Sequence, residues 1–413
     1  MSSDSLLEQH IKPYILKQFG DADLVLLAGS QARLLNEQEV SGINNVPTKN
    51  SDYDFVIVYK ELPKGFDAAF FASAWLNVPG MDEPISVDMK VMDLDYLKFH
   101  AEQTREVRRF PFLFRMTSDS YPIIDKHNIL PDLKKEAEDF IKAGPAPLGQ
   151  TQISELNNEM QQIAGALQET GNDPAALNLA ALEALHTLSV DYLRSRLEWD
   201  GSTPRALERM REINPQEEQF LLNAFNKASA GKVGPYLDFV EQVNAQLKVQ
   251  AGLNMPDPAI LHQNVDAFVN PDEKKESNMN GARIMIAQYL SRLSTPEPLD
   301  ISRELETKSV LWLSLKKILC DDTGVPFSFG QKAADAADAA FGKPVLKTLF
   351  NALQKSDMKE AYQAADAILE KHGGVAFTHL KRVYVEDLAR RRSNDAKAAA
   401  DVKTFKSPFF SYA

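Results

Sequence analysis

The chain has 413 residues, 44% of them hydrophobic and 25% charged. This is an ordinary globular mixture, long enough for two or three domains. Its formal net charge of −12 argues against a dedicated DNA or RNA binder, because affinity for a phosphate backbone rests on a basic footprint. No apolar stretch approaches the roughly 18–20 residues of a membrane span. Met1-Ser2-Ser3-Asp4-Ser5 lacks the basic start and apolar core of a signal peptide, and the single cysteine, Cys320, can form no internal disulfide. Together these point to a cytoplasmic protein with no membrane partner. The seven histidines are scattered, none at zinc-ligand spacing from another histidine or the cysteine.

Residues 3–19 carry Leu6, Leu7, Ile11, Tyr14, Ile15 and Phe19 at helical spacing, and Gly20 stops that helix. Leu24-Val25-Leu26-Leu27-Ala28 is a continuous apolar run ending at Gly29, the pattern of a buried strand. Residues 36–50, with Gly42, Asn44, Asn45 and Pro47, read as a loop. A second strand is expected over 53–59, a short helix over 66–76 and a third strand over 84–92. Asp93 has the chemistry of an N-cap for a helix running to about residue 104. Phe110 to Met116 is apolar enough to pack on the sheet, Pro122 to Asp125 suits an edge strand, and a helix follows Pro131.

Gly144-Pro145-Ala146-Pro147-Leu148-Gly149 cannot continue a helix and marks a domain boundary. Beyond it the periodicity is helical, over 151–169, 174–199, 204–212, 215–229 and 235–250. A second boundary falls at Asn254-Met255-Pro256-Asp257-Pro258. Further helices are expected near 259–269, 279–293, 306–320, 330–340, 344–354, 358–372 and 374–397. An aromatic tail, Phe405, Phe409, Phe410 and Tyr412, closes the chain. The fold class is therefore α+β, a mixed sheet flanked by helices followed by a largely all-α C-terminal half. The expected domains are 1–145, 150–253 and 259–413.

One constellation names a chemistry. Gly29-Ser30 follows the first strand, Ser51-Asp52-Tyr53-Asp54 opens the second, and Asp88 lies within the third. Side chains alternate faces along a strand, so Asp52 and Asp54 point one way, and Ser86, Asp88 and Lys90 share a face. If the two strands pair near Asp54 and Asp88, three carboxylates converge and repel one another unless divalent cations neutralise them. Magnesium suits such a site, since it takes oxygen ligands from a few carboxylates plus substrate phosphates. Two ions held by Asp52, Asp54 and Asp88 can clamp the attacking and leaving oxygens of a phosphoryl transfer. Asp88 can also accept the acceptor's proton. Ser30 and the N–H groups after Gly29 can approach the outer phosphates. A Gly-Ser turn alone is a weak signal, and Asp-x-Asp at a strand start also serves turn chemistry. The three parts in this order, each attached to an expected strand, are much more specific.

These residues resemble the DNA-polymerase-β-like nucleotidyltransferase superfamily, whose pattern is an apolar strand, Gly-Ser, Asp-x-Asp and a third Asp on a later strand. Gly29-Ser30-Gln31-Ala32-Arg33 with Ser51-Asp52-Tyr53-Asp54 is most similar to the bacterial minimal-nucleotidyltransferase and aminoglycoside-adenylyltransferase branch. The resemblance covers residues 24–93 and, more loosely, a helical region over 174–250. It implies catalytic and metal-binding roles for Asp52, Asp54 and Asp88, nucleotide binding at Gly29, Ser30, Gln31 and Arg33, and a cofactor of two magnesium ions. The implied reaction moves a nucleoside monophosphate, AMP from ATP in the favoured case, to a hydroxyl with loss of pyrophosphate. The chain departs from the pattern in a long spacer over residues 31–51, whose extra loop over 36–50 reads as a lid or specificity element, and in Leu34, where a glycine is usual.

The implied partners are a nucleoside triphosphate and a small-molecule or protein acceptor. Two alternatives stay open, a nucleotide second-messenger synthase of the same fold and a catalytically inactive interaction protein. Oligomeric state is left open. Other candidates have plainer readings beside the catalytic one. Glu155 and Glu159 can offer a base or simply a solvated helix face, and Tyr192, Arg194 and Arg196 can reach a triphosphate or belong to an amphipathic helix. His186 sits among leucines as a core histidine would, and Arg390-Arg391-Arg392 reads as a solvated cluster.

Overall fold

The computed structural model describes residues 6–41, 53–63, 70–79, 85–106, 111–170, 173–200, 205–255, 286–287, 289–290, 293–294 and 301–372. A π-helical turn, Leu7–Ile11, leads into α1 (Lys12–Phe19). Leu7, Ile11 and Ile15, one turn apart, are buried. Then follow β1 (Leu24–Ala28), α2 (Gly29–Ser41), β2 (Tyr53–Tyr59), β3 (Phe70–Leu76) and β4 (Ile85–Asp93). This half of the chain ends with α3 (Leu94–Glu106), α4 (Phe112–Ser118), β5 (Tyr121–Asp125) and α5 (Leu130–Ala143).

The five strands form one mixed sheet in the order β3-β4-β2-β1-β5. Only the β2–β4 pairing is parallel. All of β1 is buried, because apolar layers cover both faces of the sheet. One layer gathers Ile11, Ile15, Val25, Leu27, Phe55, Ile57, Val87 and Met89. The other gathers Leu24, Leu26, Val56, Val58 and Met92 with Leu97, Leu113, Phe114, Leu133 and Ala137 from α3, α4 and α5.

Two expectations are corrected. The loop expected over 36–50 begins later, since α2 runs to Ser41. Leu34, Leu35, Glu37, Gln38 and Glu39 are good helix formers, and the breaking signals, Gly42 onward, come after them. Residues 42–50 lie outside the described residues. Of the helix expected over 66–76, residues 70–76 are instead β3, an edge strand registered antiparallel to β4 from Phe70↔Val91 to Leu76↔Ile85, and 66–69 lie outside the described residues. A short apolar run fits both periods, and an available strand partner decides it. Asp93 does cap α3, its Oδ1 accepting the Tyr96 N–H at 2.6 Å.

At the expected boundary Gly144, with φ +78°, ends α5. The helical half then comprises α6 (Gln150–Glu169), α7 (Pro174–Ser195), α8 (Ala206–Ile213), α9 (Pro215–Ser229) and α10 (Gly234–Ala251). It continues with α11 (Ile301–Thr323), α12 (Gln331–Phe341), α13 (Val345–Lys355) and α14 (Met358–His372). Asp173 and Asn214 cap α7 and α9, each of which has proline in its first turn. The helices expected over 259–269 and 374–397, the Arg390 cluster and the aromatic tail lie outside the described residues. The two halves meet where Trp199 stacks on Phe140 at 5.9 Å and donates from Nε1 to the Ile141 carbonyl at 2.8 Å.

Helices on both sides of the 254–258 segment share one hydrophobic core, which joins Leu182, Leu185, Phe239 and Val243 to Ile286, Leu311, Trp312, Leu349 and Ile368. Its centre is α7 against α11, and that contact is also polar. Glu183 of α7, fully buried, takes Lys316 Nζ, the Gly330 N–H and, at 2.8 Å, Trp312 Nε1. His186 Nδ1 lies 2.6 Å from Glu306 Oε1, and the same carboxylate accepts the Ala206 and Leu207 N–H groups that open α8. No helix among the described residues is long and apolar enough to cross a membrane.

Removing one partner of a buried ion pair strands the other in hydrocarbon. Lys316→Ala is therefore expected to destabilise the protein by about 3–5 kcal/mol in urea unfolding, and Lys316→Met with Glu183→Leu by much less. In α3, the His100 ring meets Phe112 edge-on at 4.8 Å, and its Nδ1 is out of contact with solvent. That enclosure pushes the imidazole down to about 4 from the usual 6.5. The unfolded chain then binds the extra proton between those values, so this contribution is complete above pH 6.5 and is lost as pH falls toward 4. Unfolding free energies measured across that window should fall more steeply in the wild type than in His100→Phe.

Candidate functional site

The site is built where β1 stops. Ala28, the last residue of β1, is registered against Asp54 of β2, and Asp54 against Asp88 of β4. Registered residues on neighbouring strands rise from the same face about 5 Å apart, so the two carboxylates stand side by side. Val56↔Lys90 and Val58↔Met92 continue the row on that face, and Val56, Val58 and Met92 belong to the layer under α3, α4 and α5. Asp54 and Asp88 thus sit at the margin of a packed layer and keep part of their surface open, whereas Tyr53, Phe55, Val87 and Met89, on the other face, are buried.

Gly29 closes the third side. It leaves β1 at φ +70° and opens α2. A Cβ placed on it would lie 2.6 Å from Asp54 Oδ2. Only glycine combines that backbone with that approach. The other carboxylate oxygen, Oδ1, takes the ammonium of Lys90. The first turn of α2 is therefore fixed beside the carboxylates, and its N-terminal amides form the positive end of a helix there.

The other expected site residues are placed as follows. Ser30 is partly exposed in the first turn of α2. Gln31 is buried, 5% exposed, alongside Ala32 of the core. Arg33 turns to Asp119 at 3.7 Å, a carboxylate it shares with Arg115 at 3.1 Å. Asp119 just precedes β5, whose first residue, Tyr121, pairs with Leu27, so this basic pair lies at the same end of the sheet. Asp52 lies outside the described residues. Among the described residues no group of three or more histidine, cysteine, aspartate or glutamate side chains is poised to hold a metal. Asp54 and Asp88 nonetheless offer the oxygen donors that a hard divalent cation takes.

Sequence reasoning placed Lys90 on the acidic face but gave it no part in the site. The alternation that aligned it with Asp88 was the available signal. Arg115 had no such signal, because it reaches Arg33 only through the shared Asp119. The candidates on α7 serve the fold. Tyr192 is buried, stacked on Phe239 at 5.7 Å with the Arg196 guanidinium 3.7 Å from its ring centre. Arg194 is buried between Asp200 at 2.9 Å and Asp191 at 3.5 Å, with Glu159 adding to the negative surroundings that raise its pKa against burial. His186 is buried on Glu306.

No protein-family model matches the chain, and no curated protein matches it.

Gly29→Ala should destabilise the chain by about 1–2 kcal/mol through the left-handed backbone alone, with a further loss from displacing Asp54. Urea unfolding reads the effect, and a midpoint equal to wild type would contradict the close approach described above.

Proposed function

We propose that the chain is a magnesium-dependent nucleotidyltransferase. It moves a nucleoside monophosphate, AMP from ATP in the favoured case, to a hydroxyl of a small-molecule or protein acceptor and releases pyrophosphate. The observation that supports this reading most directly is the registered pair Asp54–Asp88 beside a glycine turn that opens a helix. Two magnesium ions, held by Asp54 and Asp88 together with Asp52, would supply charge stabilisation for the attacking and leaving oxygens.

The chain's own groups account for the remaining steps. The backbone N–H groups at the start of α2 point toward the positive end of that helix and suit the outer phosphates, and the Ser30 hydroxyl adds a donor. Arg33 and Arg115 supply positive potential at that end of the sheet. Asp88 accepts the proton of the acceptor hydroxyl. The acceptor oxygen forms its bond to the α-phosphorus, the bond from that phosphorus to the bridging oxygen breaks, and pyrophosphate leaves with the electron pair. An acidic protein surface favours a cationic acceptor over a nucleic-acid end.

Purified protein with magnesium, each of the four labelled triphosphates and a cell extract should place label on a small molecule or a protein and release pyrophosphate. Label in a nucleotide-to-nucleotide product would redirect the proposal to a second-messenger synthase. No transfer and no pyrophosphate would leave the interaction-protein reading. Asp54→Asn and Asp88→Asn should each lower turnover at least about a thousandfold, the scale of several kcal/mol of lost transition-state stabilisation, in variants that circular dichroism shows to be folded. Turnover that survives both changes would remove the carboxylates from the mechanism.

A further inference from the structure

We propose that Lys90 is the resident counter-cation of the carboxylate pair and competes with the divalent cation for Asp54, so that metal binds the free protein weakly and loads with the triphosphate. This inference rests on the nucleotidyltransferase reading of the same site.

The geometry is specific. Lys90 is two residues beyond Asp88 on the same face of β4, and its register partner is Val56, not Asp54. Its side chain nevertheless reaches back along the row to Asp54 Oδ1. Both ends of the contact are enclosed, with the lysine side chain 13% and the aspartate side chain 23% exposed. Opposite charges attract more strongly in such surroundings than at an open surface. Two carboxylates one strand spacing apart repel, and that repulsion is eased by a positive charge seated beside them. The ammonium supplies that charge.

The contact uses the oxygen that faces away from Gly29 and leaves Oδ2 toward the turn. A divalent cation drawn to Asp54 therefore meets an ammonium already seated on the same carboxylate, and binding requires that ammonium to withdraw. Lysine suits this role, being a point charge on a flexible four-carbon stem rather than a fixed planar fork. The negative charge of a triphosphate offsets the repulsion between the two cations, so binding of metal with nucleotide is favoured over binding of metal alone.

The test is manganese binding to the full-length protein without nucleotide, read by the electron paramagnetic resonance signal of free Mn2+. Wild type and Lys90→Arg should bind weakly. Lys90→Met and Lys90→Gln, checked for folding by circular dichroism, should bind on the order of tenfold tighter or more, since one like charge has been removed from an enclosed site. Adding Asp54→Asn to Lys90→Met should abolish the gain. Should Lys90→Met fail to fold, the Lys90→Gln and Lys90→Arg pair carries the same comparison. Asp54-dependent binding that is equal or weaker in the neutral variants overturns the role of Lys90 and leaves the proposed function standing. If Asp54-dependent binding is absent from every variant, even with triphosphate, the proposed function falls and this inference with it.

Discussion

The parallel register of β2 on β4 is the constraint from which the site follows. Side chains alternate every residue, so a slip of one position would send Asp54 or Asp88 into the opposite layer. That slip is resisted by hydrophobic burial. Phe55, Ile57, Val87, Met89 and Val91 fill one layer, and Val56, Val58 and Met92 fill the other. The carboxylates are aligned because the apolar residues next to them are packed. Gly29 depends on the same alignment, since its close approach to Asp54 follows from Ala28 being registered there.

The helical half is organised by a different constraint. Nearly all of α7 from Leu177 to Ser195 is buried, including Glu183, His186 and Asp191. Glu183 and His186 find partners on α11 and at the start of α12, whereas Asp191 pairs with Arg194 of α7 itself. Such pairs add little net stability compared with an apolar substitute. They do penalise alternatives, because rotating α7 by one residue against α11 would leave the Glu183 carboxylate facing hydrocarbon. The hydrophobic core drives these helices together, and the buried charges fix how they mate.

Local signals made much of this legible. Continuous apolar runs marked β1, β2 and β4, Asp93 announced α3, and proline and glycine punctuation located the ends of the later helices. The true length of α2 was hidden because its polar residues share the composition of a loop, and β3 was hidden because its strand partner lies elsewhere in the chain. Within the site, alternation and order sufficed to align Gly29, Asp54 and Asp88 as candidates. The contact of Lys90 with Asp54 crosses between strands, and that of Arg33 with Asp119 joins a helix to a distant turn. Alternation shows only that Lys90 shares a face with Asp88, not that it reaches Asp54, and the Arg33 contact leaves no trace in local spacing. The ties from Glu183 to Lys316 and from His186 to Glu306 were invisible for the same reason, as partners separated by more than 100 positions have no periodicity in common.

That separation bears on how the chain is made. Synthesis runs from the N-terminus, and α7 is complete at Ser195 while its partner helix begins at Ile301. At about 5–20 residues per second, on the order of 5–20 s pass before α11 can cover it. During that interval α6, α8, α9 and α10 can pack on α7, but the face that carries Glu183 and meets α11 stays uncovered. The mixed sheet, whose strands all lie between Leu24 and Asp125, can therefore close early in synthesis, whereas the α7–α11 core can close only after a further hundred or so residues have emerged.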